Sequence, residues 1–141
     1  MLQFSGKITL EYFNQVEEIL KVITNAEYAN EWNKAIEFRN ALWYMGETFE
    51  LLVEYNTCMV LHDFSKVKSW VVNDKTDLVY VRFHGPTGNY KSSYSHEFLN
   101  QKTVQIKYWL SNGNDVYAYF NDKAGDAYQN AITFKDLYNI S

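Results

Sequence analysis

The chain has 141 residues, of which 47% are hydrophobic, 18% are aromatic and 21% are charged, and its formal net charge is −4. This composition is typical of one globular domain and excludes a disordered or fibrous chain. The acidic balance argues against general nucleic-acid binding, because neutralising phosphates requires an excess of Lys and Arg.

The first half of the chain alternates strand and helix patterns. A short strand is predicted at residues 2–5. Apolar residues then recur every three or four positions from about Thr9 to Thr24, which predicts a helix capped by Thr9. A strand is predicted at residues 35–39 and a helix at 46–55. The nearly continuous apolar run at 58–62 predicts a strand that is covered on both faces.

The second half contains the clearest strand pattern, residues 78–84, which follows a less regular stretch around residues 70–72. This strand ends at the loop 85–89, which contains Gly, Pro and Asn. Ser95 is predicted to cap a helix that runs to about Ser111. The remaining predicted elements are a left-handed helix end at 112–114, a strand at 115–120 and a helix at 127–139.

Strands separated by helices predict parallel pairing with right-handed crossovers, and therefore an α/β fold. The pattern contains four to five β/α units in a single domain over residues 1–141. An eight-unit TIM-type barrel needs about 250 residues, so the chain would supply a partial (β/α) barrel. An open doubly wound sheet fits the same pattern almost equally well.

Four predicted strands end in polar side chains. In parallel α/β folds the carboxyl ends of the strands carry the functional site. Side chains two positions apart share a face, so Glu37 and Arg39 are expected to point away from the helices. The candidate ligand-binding residues are Arg39, Asn40, His62, Asp63, Arg82, Tyr119 and Asn121, and the candidate catalytic residues are His84 and Glu37.

The candidate residues favour an anionic ligand. The planar guanidinium groups of Arg39 and Arg82 match phosphate or carboxylate oxygens, and His84 is the candidate acid–base group because histidine is the residue type suited to that role near neutral pH. Lys68 and Lys107 are expected to be solvated surface charges. No phosphate-loop or dinucleotide motif is present, although backbone amides near the glycines of the loops would suit an anion.

Each candidate also has a structural interpretation. Glu37 with Arg39 or Arg82 would form a buried ion pair, and a lone His62 is more often a packed core histidine than a ligand. No zinc-type spacing occurs, and no metal or cofactor is predicted. The less favoured alternative is a metal site assembled from separate strands by Glu37, His62, Asp63 and His84.

The single cysteine, Cys58, permits no internal disulfide and is predicted to be a small buried residue. No run of 18 apolar residues predicts a membrane span. Residues 1–7 lack the basic and apolar regions of a signal peptide, so a cytoplasmic location is expected.

Three segments resemble a known family. Residues 37–43 are similar to its EFR-x-x-x-W segment, residues 80–85 to its YVRxHG segment, and residues 116–122 with Gly125 and Asn130 to its VYxYFNN…G…NA ending. These segments, followed in the second case by a Tyr-rich loop, mark the YecE-like proteins, β/α barrels of unknown function.

The resemblance implies the C-terminal part of a barrel, because family members are much longer than this chain. It implies that the site is lined by Glu37, Arg39, Arg82, His84 and Asn121, and it implies no established reaction. Asp122 stands where the family usually has a second Asn, which would change the local charge.

Three functions are compatible with these observations. The first is an enzyme, a hydrolase or lyase, that acts on a phosphate- or carboxylate-bearing ligand. The second is a binding module without turnover, and the third is a structural remnant that works only as an oligomer. Because a partial barrel leaves strand edges unpaired, we expect a homodimer or pairing with a complementary N-terminal piece.

Overall fold

The computed structural model describes residues 1–67, 69–70, 75–122 and 124–140; Lys68 and most of the predicted irregular stretch, including Val71 and Val72, lie outside them. The strands are β1 (Leu2–Phe4), β2 (Lys34–Phe38), β3 (Thr57–Met59), β4 (Leu61–His62), β5 (Leu78–Phe83), β6 (Lys91–Ser92), β7 (Asp115–Phe120) and β8 (Ala124–Gly125). The helices are α1 (Phe13–Thr24), α2 (Gly46–Glu54), α3 (His96–Ser111) and α4 (Ala127–Ile140), with 3-10 turns at Leu10–Tyr12, Ala29–Glu31 and Ala41–Trp43.

All strand pairs among these elements are parallel. The sheet orders are β1-β2-β3, β4-β5-β7 and the short pair β6-β8. Val60 separates β3 from β4, and its N–H still donates to the carbonyl oxygen of Ile36 at 2.8 Å. The strand order therefore follows the chain order without a reversal, and the described strands do not close into a barrel.

The two faces of the strands have different partners. On the helix side, Ile36 and Phe38 of β2 pack in one core cluster with residues of α1 and α2. Val81 and Phe83 of β5 pack in a second cluster with residues of α3 and α4. The alternation predicted for β2 and β5 is confirmed, since the charged residue Glu37 lies between the two apolar residues of β2 and outside both clusters.

The sheet curls so that the face without helices is concave. Arg82 on β5 donates from Nη1 to Oε1 of Gln3 on β1 at 2.9 Å, although β2 and the β3–β4 segment lie between these strands. Asn33, just before β2, likewise donates to the hydroxyl of Tyr117 on β7 at 3.4 Å. Side chains from distant strands therefore meet on one inner surface.

Most predicted elements are confirmed within one or two residues, including the Ser95 cap, whose Oγ accepts from the N–H of Phe98 at 3.1 Å. The predicted cap at Thr9 is wrong, because its side chain makes no capping hydrogen bond and a 3-10 turn precedes α1. The indole N–H of Trp43 donates to the carbonyl oxygen of Ile8 at 2.8 Å, a long-range contact that determines how the chain enters the helix.

The strand predicted at 58–62 is divided at Val60, and the pair β6-β8 was not predicted. Both differences follow from pairing between distant segments, which local sequence patterns do not encode. Among the described residues, no helix is long and apolar enough to cross a membrane.

The loop after β5 is clamped onto the chain that follows β4. The N–H of Ser65 donates to the carbonyl oxygen of Gly88 at 3.1 Å. Gly88 has a φ of +66°, and a Cβ at this position would overlap the carbonyl oxygen of Asp63. Only glycine fits here, because both the backbone conformation and the close approach exclude a side chain.

Replacing Gly88 with Ala is expected to lower the free energy of unfolding by about 3 kcal/mol, from left-handed strain together with steric overlap. Gly113→Ala is the matched control, because Gly113 has a φ of +87° and nothing within 4 Å of a built Cβ. The control should lose only about 1 kcal/mol, from strain alone. Urea denaturation measures both values, and equal losses would contradict the clamp.

Candidate functional site

A buried carboxylate organises the concave face. Glu37 is fully buried at the end of β2, and its Oε1 forms an ion pair with Nε of Arg39. Its Oε2 accepts from Nη1 of Arg82 at 2.5 Å, the same nitrogen that donates to Gln3. Both carboxylate oxygens are therefore engaged, which makes Glu37 a residue that positions two arginines.

The guanidinium group of Arg39 continues from Glu37 toward His84. Its Nη2 lies 3.2 Å from Nε2 of His84 and 3.4 Å from the hydroxyl of Tyr90. Its Cζ lies 3.8 Å from the centroid of the Phe64 ring, in cation–π geometry. Since Arg has only donors, Nε2 of His84 must accept, which assigns the ring proton of a neutral His84 to Nδ1.

Asp63 holds His84 from the other side. Its Oδ1 accepts from the backbone N–H of His84 at 2.7 Å and lies 3.3 Å from Nδ1 of the ring. Its Oδ2 accepts from the hydroxyl of Tyr94, which in turn accepts from the N–H of Gly85 at 2.6 Å. Burial and the neighbouring Asp63 raise the pKa of Tyr94, so the hydroxyl keeps the proton that it donates.

His62 has the environment of a packed core histidine. The N–H of Phe64 donates to its Nδ1 at 3.3 Å, and its Nε2 lies 2.9 Å from the hydroxyl of Tyr44. That hydroxyl donates to the carbonyl oxygen of Phe38 at 2.8 Å. The pKa of His62 is lowered to about 4, mainly by burial; Glu37 opposes this shift, and Arg39 and His84 contribute to it. His62 is therefore neutral at neutral pH.

A groove of about 440 Å³ opens beside this cluster at the carboxyl ends of the strands. Its lining combines two cationic side chains, two aromatic rings and small polar groups. These residues are Gln3, Ser5, Gly6, Arg39, Phe64, Lys66 and Tyr90. Nε and Nη2 of Arg39 are engaged within the cluster, so Nη1, beside the second cation, is the guanidinium nitrogen that can donate to the oxygens of phosphate or carboxylate.

A family model described as protein of unknown function DUF72 matches residues 1–141. The chain belongs to the DUF72 family. Its structure is similar to that of a DUF72 family protein from Thermotoga maritima MSB8, with 26% identity and a TM-score of 0.74, over 98% of this chain. A DUF72 family protein from Enterococcus faecalis V583 has the same fold, with 22% identity and a TM-score of 0.78, over 100% of this chain.

The chain spans 56% of the length of the Thermotoga protein and 61% of the Enterococcus protein. A search of curated proteins finds no match. Family membership thus establishes the α/β fold and leaves the function of this DUF72 chain to be argued from its own site.

The structure brings six predicted site residues of this DUF72 chain together. They are Glu37, Arg39, His62, Asp63, Arg82 and His84. Of these, only Arg39 lines the groove, and Arg82 reaches its edge through Gln3. Lys107, which was predicted to be a solvated surface charge, lies over the ring of Tyr138.

The other three predicted site residues have different surroundings. Asn40 caps the 3-10 turn by accepting from the N–H of Leu42, and its Nδ2 donates to the carbonyl oxygen of Gly6 at 3.0 Å. The Tyr119 ring stacks on Tyr80 with centroids 4.9 Å apart. Asn121 extends the sheet through its backbone, since its N–H donates to the carbonyl oxygen of Phe83 at 2.8 Å.

Several site residues were not singled out from the sequence. Phe64 and Lys66 directly follow the polar end of β4, so their position in the loop was a usable signal. Tyr94 lies in the Tyr-rich loop of the family resemblance, whereas Gln3 and Tyr44 had no such signal, because only the folded chain brings them to Arg82 and His62, respectively.

The described part of the chain contains neither a cluster of metal-binding side chains nor a reactive thiol. There, no three His, Cys, Asp or Glu side chains form a cluster that could hold a metal ion. Burial raises the pKa of the Cys58 thiol to about 12, which keeps it protonated at neutral pH. The prediction that Cys58 is a small buried residue is confirmed.

Asp122, where the family resemblance implies an Asn, is buried at the end of β7. A Cβ at Gly125 would overlap its carboxylate, so a side chain there would have to displace Asp122. Burial raises the pKa of Asp122, and the backbone groups of Gly125 and Asp126 partly oppose this shift.

His62 should make stability depend on pH between about 4 and 6.5. In the unfolded chain His62 takes up a proton with a pKa of about 6.5, whereas in the folded chain its pKa is about 4. The free energy of unfolding therefore falls as the pH falls through this window, by up to about 3 kcal/mol. Chemical denaturation at several pH values measures this slope.

His62→Gln should flatten the slope, whereas His96→Gln, which changes an exposed histidine, should leave it as in the unmodified protein. An unchanged slope in His62→Gln would show that other groups cause the pH dependence.

Proposed function

We propose that this DUF72 protein binds a small ligand with a phosphate or carboxylate group in the groove beside Arg39. The observation that carries the proposal is the environment of Arg39. Glu37 orients its guanidinium group, the Phe64 ring supports its face, and the group lines a groove that also contains Lys66.

The charge balance supports an anion more than a purely structural ion pair. Glu37 supplies one negative charge to two arginines, Arg39 and Arg82, which leaves one positive charge in excess. Asp63 does not offset this charge directly, because its oxygens bind the backbone of His84 and the hydroxyl of Tyr94. Asp63 compensates this charge only through the His84 ring, so a bound oxyanion would give the two arginines a second direct anionic partner.

We place binding ahead of catalysis in this proposal. A hydrolase or lyase reaction would use His84 as the acid–base group, and Asp63 beside its Nδ1 is the partner such a histidine needs. His84 is fully buried, however, and its Nε2 faces Arg39. Turnover therefore requires Arg39 to move, whereas binding at the groove does not.

We propose that the strands form part of a TIM-type barrel of the YecE-like kind. Two features support this architecture. The parallel strands follow the chain order, whereas a doubly wound sheet reverses at a switch point. The concave face also carries its polar residues at the carboxyl ends of the strands, as in barrel enzymes.

Inorganic phosphate tests the binding proposal by isothermal titration calorimetry. Lys66→Ala, which alters an exposed groove residue, should weaken binding severalfold. Arg39→Lys should weaken it about tenfold, because one ammonium group cannot bond to Glu37 and His84 and also donate to the ligand. Lys135→Ala, at an exposed position on α4, is the matched control and should bind as the unmodified protein does.

Equal losses in all three variants would indicate diffuse electrostatics, and no binding by the unmodified protein would overturn the proposal. Circular dichroism checks that each variant is folded. Release of phosphate from a phosphate monoester, lost in His84→Gln while binding persists, would instead favour the hydrolase.

We also propose that the chain pairs with a second copy. Among the described strands, β1 pairs only with β2, and β7 only with β5, so both edges are open. Tyr117 and Tyr119 on β7 keep 41% and 44% of their surfaces exposed. Open edges and exposed aromatic rings favour association.

Light scattering at micromolar concentration should therefore give twice the mass of the 16.7 kDa chain. A stable monomer at that concentration would contradict the pairing.

A further inference from the structure

We infer that the ligand of the groove carries a planar ring as well as its anionic group, and that a nucleoside monophosphate is the chemical class that fits. This inference rests on the proposed anion binding beside Arg39. It adds a second recognition element, the ring of Tyr90, to which the anion proposal assigns no role.

The groove has room for more than an inorganic anion. Its volume is about 440 Å³. Pockets for complete organic ligands begin at about 300 Å³. A ligand that fills this groove therefore has a body beyond its anionic end.

Two aromatic rings of the groove indicate the chemistry of the rest of the ligand. Phe64 and Tyr90 both line the groove, with ring centroids 6.3 Å apart. Arg39 covers one face of Phe64, whereas Tyr90 meets the His84 ring in a T-shaped contact and remains partly exposed. A half-exposed tyrosine beside a guanidinium group is a surface on which a flat ring stacks while its phosphate meets the cation.

The backbone of Tyr90 supports a functional role for its ring. Its φ is +67°, a left-handed conformation that is strained for a bulky aromatic residue. Two hydrogen bonds keep it there: its N–H donates to the carbonyl oxygen of His84 at 2.6 Å, and its own carbonyl oxygen accepts from Ala124 at 3.1 Å. The fold thus keeps a tyrosine at the groove in a backbone conformation that Gly or Asn would adopt with less strain.

Two further groove residues, Ser5 and Gln3, suit the uncharged hydroxyl groups of a sugar. The Ser5 hydroxyl oxygen accepts from the N–H of Lys7 at 3.3 Å, and the Gln3 carbonyl oxygen accepts from Arg82. The hydroxyl proton of Ser5 and the amide NH₂ of Gln3 can then face a ligand. Together the walls supply cations for a phosphate, polar groups for a sugar and an aromatic ring for a base.

Calorimetry with three ligands of increasing size tests this inference: inorganic phosphate, ribose 5-phosphate and adenosine monophosphate. The unmodified protein should bind adenosine monophosphate about tenfold more tightly than ribose 5-phosphate, because only the first can stack on Tyr90. Tyr90→Leu should remove this difference, so that this variant binds the two ligands about equally. Tyr90→Phe should retain it, since the ring remains.

Tyr128→Leu, at an 81% exposed position on α4, is the matched control and should behave as the unmodified protein does. Equal affinities of the unmodified protein for ribose 5-phosphate and adenosine monophosphate would overturn the inference and leave the anion proposal standing. That comparison needs no variant to fold. If none of the three ligands binds, the anion proposal itself fails, and the inference fails with it.

Discussion

The buried carboxylate of Glu37 is the interaction on which the inner face of this protein depends. It lies near the end of β2 with no exposure to solvent, and it is held by Arg39, directly after the same strand, and by Arg82 on β5. Arg82 also reaches Gln3 on β1, so three strands are joined through one charged group. A charge buried this deeply is tolerated only when it is paired, which couples the curvature of the sheet to the arginines.

The ion pairs of Glu37 also organise the loops after β4 and β5. Once Glu37 orients Arg39, the guanidinium group lies over Phe64 and meets His84 and Tyr90, which belong to the segments after β4 and β5. Gly88 brings these two segments into backbone contact. The groove is therefore a product of one ion-paired centre and one tight loop contact, and neither would suffice alone.

Two histidines that look alike in the sequence differ because of their surroundings. His62 is enclosed by Tyr44, Phe64 and the backbone of Phe38, and burial lowers its pKa far enough to keep it neutral. His84 is equally buried, but it lies between a carboxylate and a guanidinium group. The first arrangement stabilises a core, whereas the second has the partners that a functional histidine requires.

The sequence by itself determined the local elements and the shared face of the strand-end residues, because side-chain periodicity and turn residues are local signals. Ser95, Gly113 and the alternation around Glu37 and Arg82 are examples. Only the tertiary structure decided that Thr9 does not cap a helix. It also brought Gln3, Tyr44 and Tyr94 into hydrogen bonds with the site residues, and it made Asn40 the cap of a 3-10 turn. These outcomes depend on hydrogen bonds between residues that are mostly far apart in the chain, and such contacts exist only after the sheet has curled.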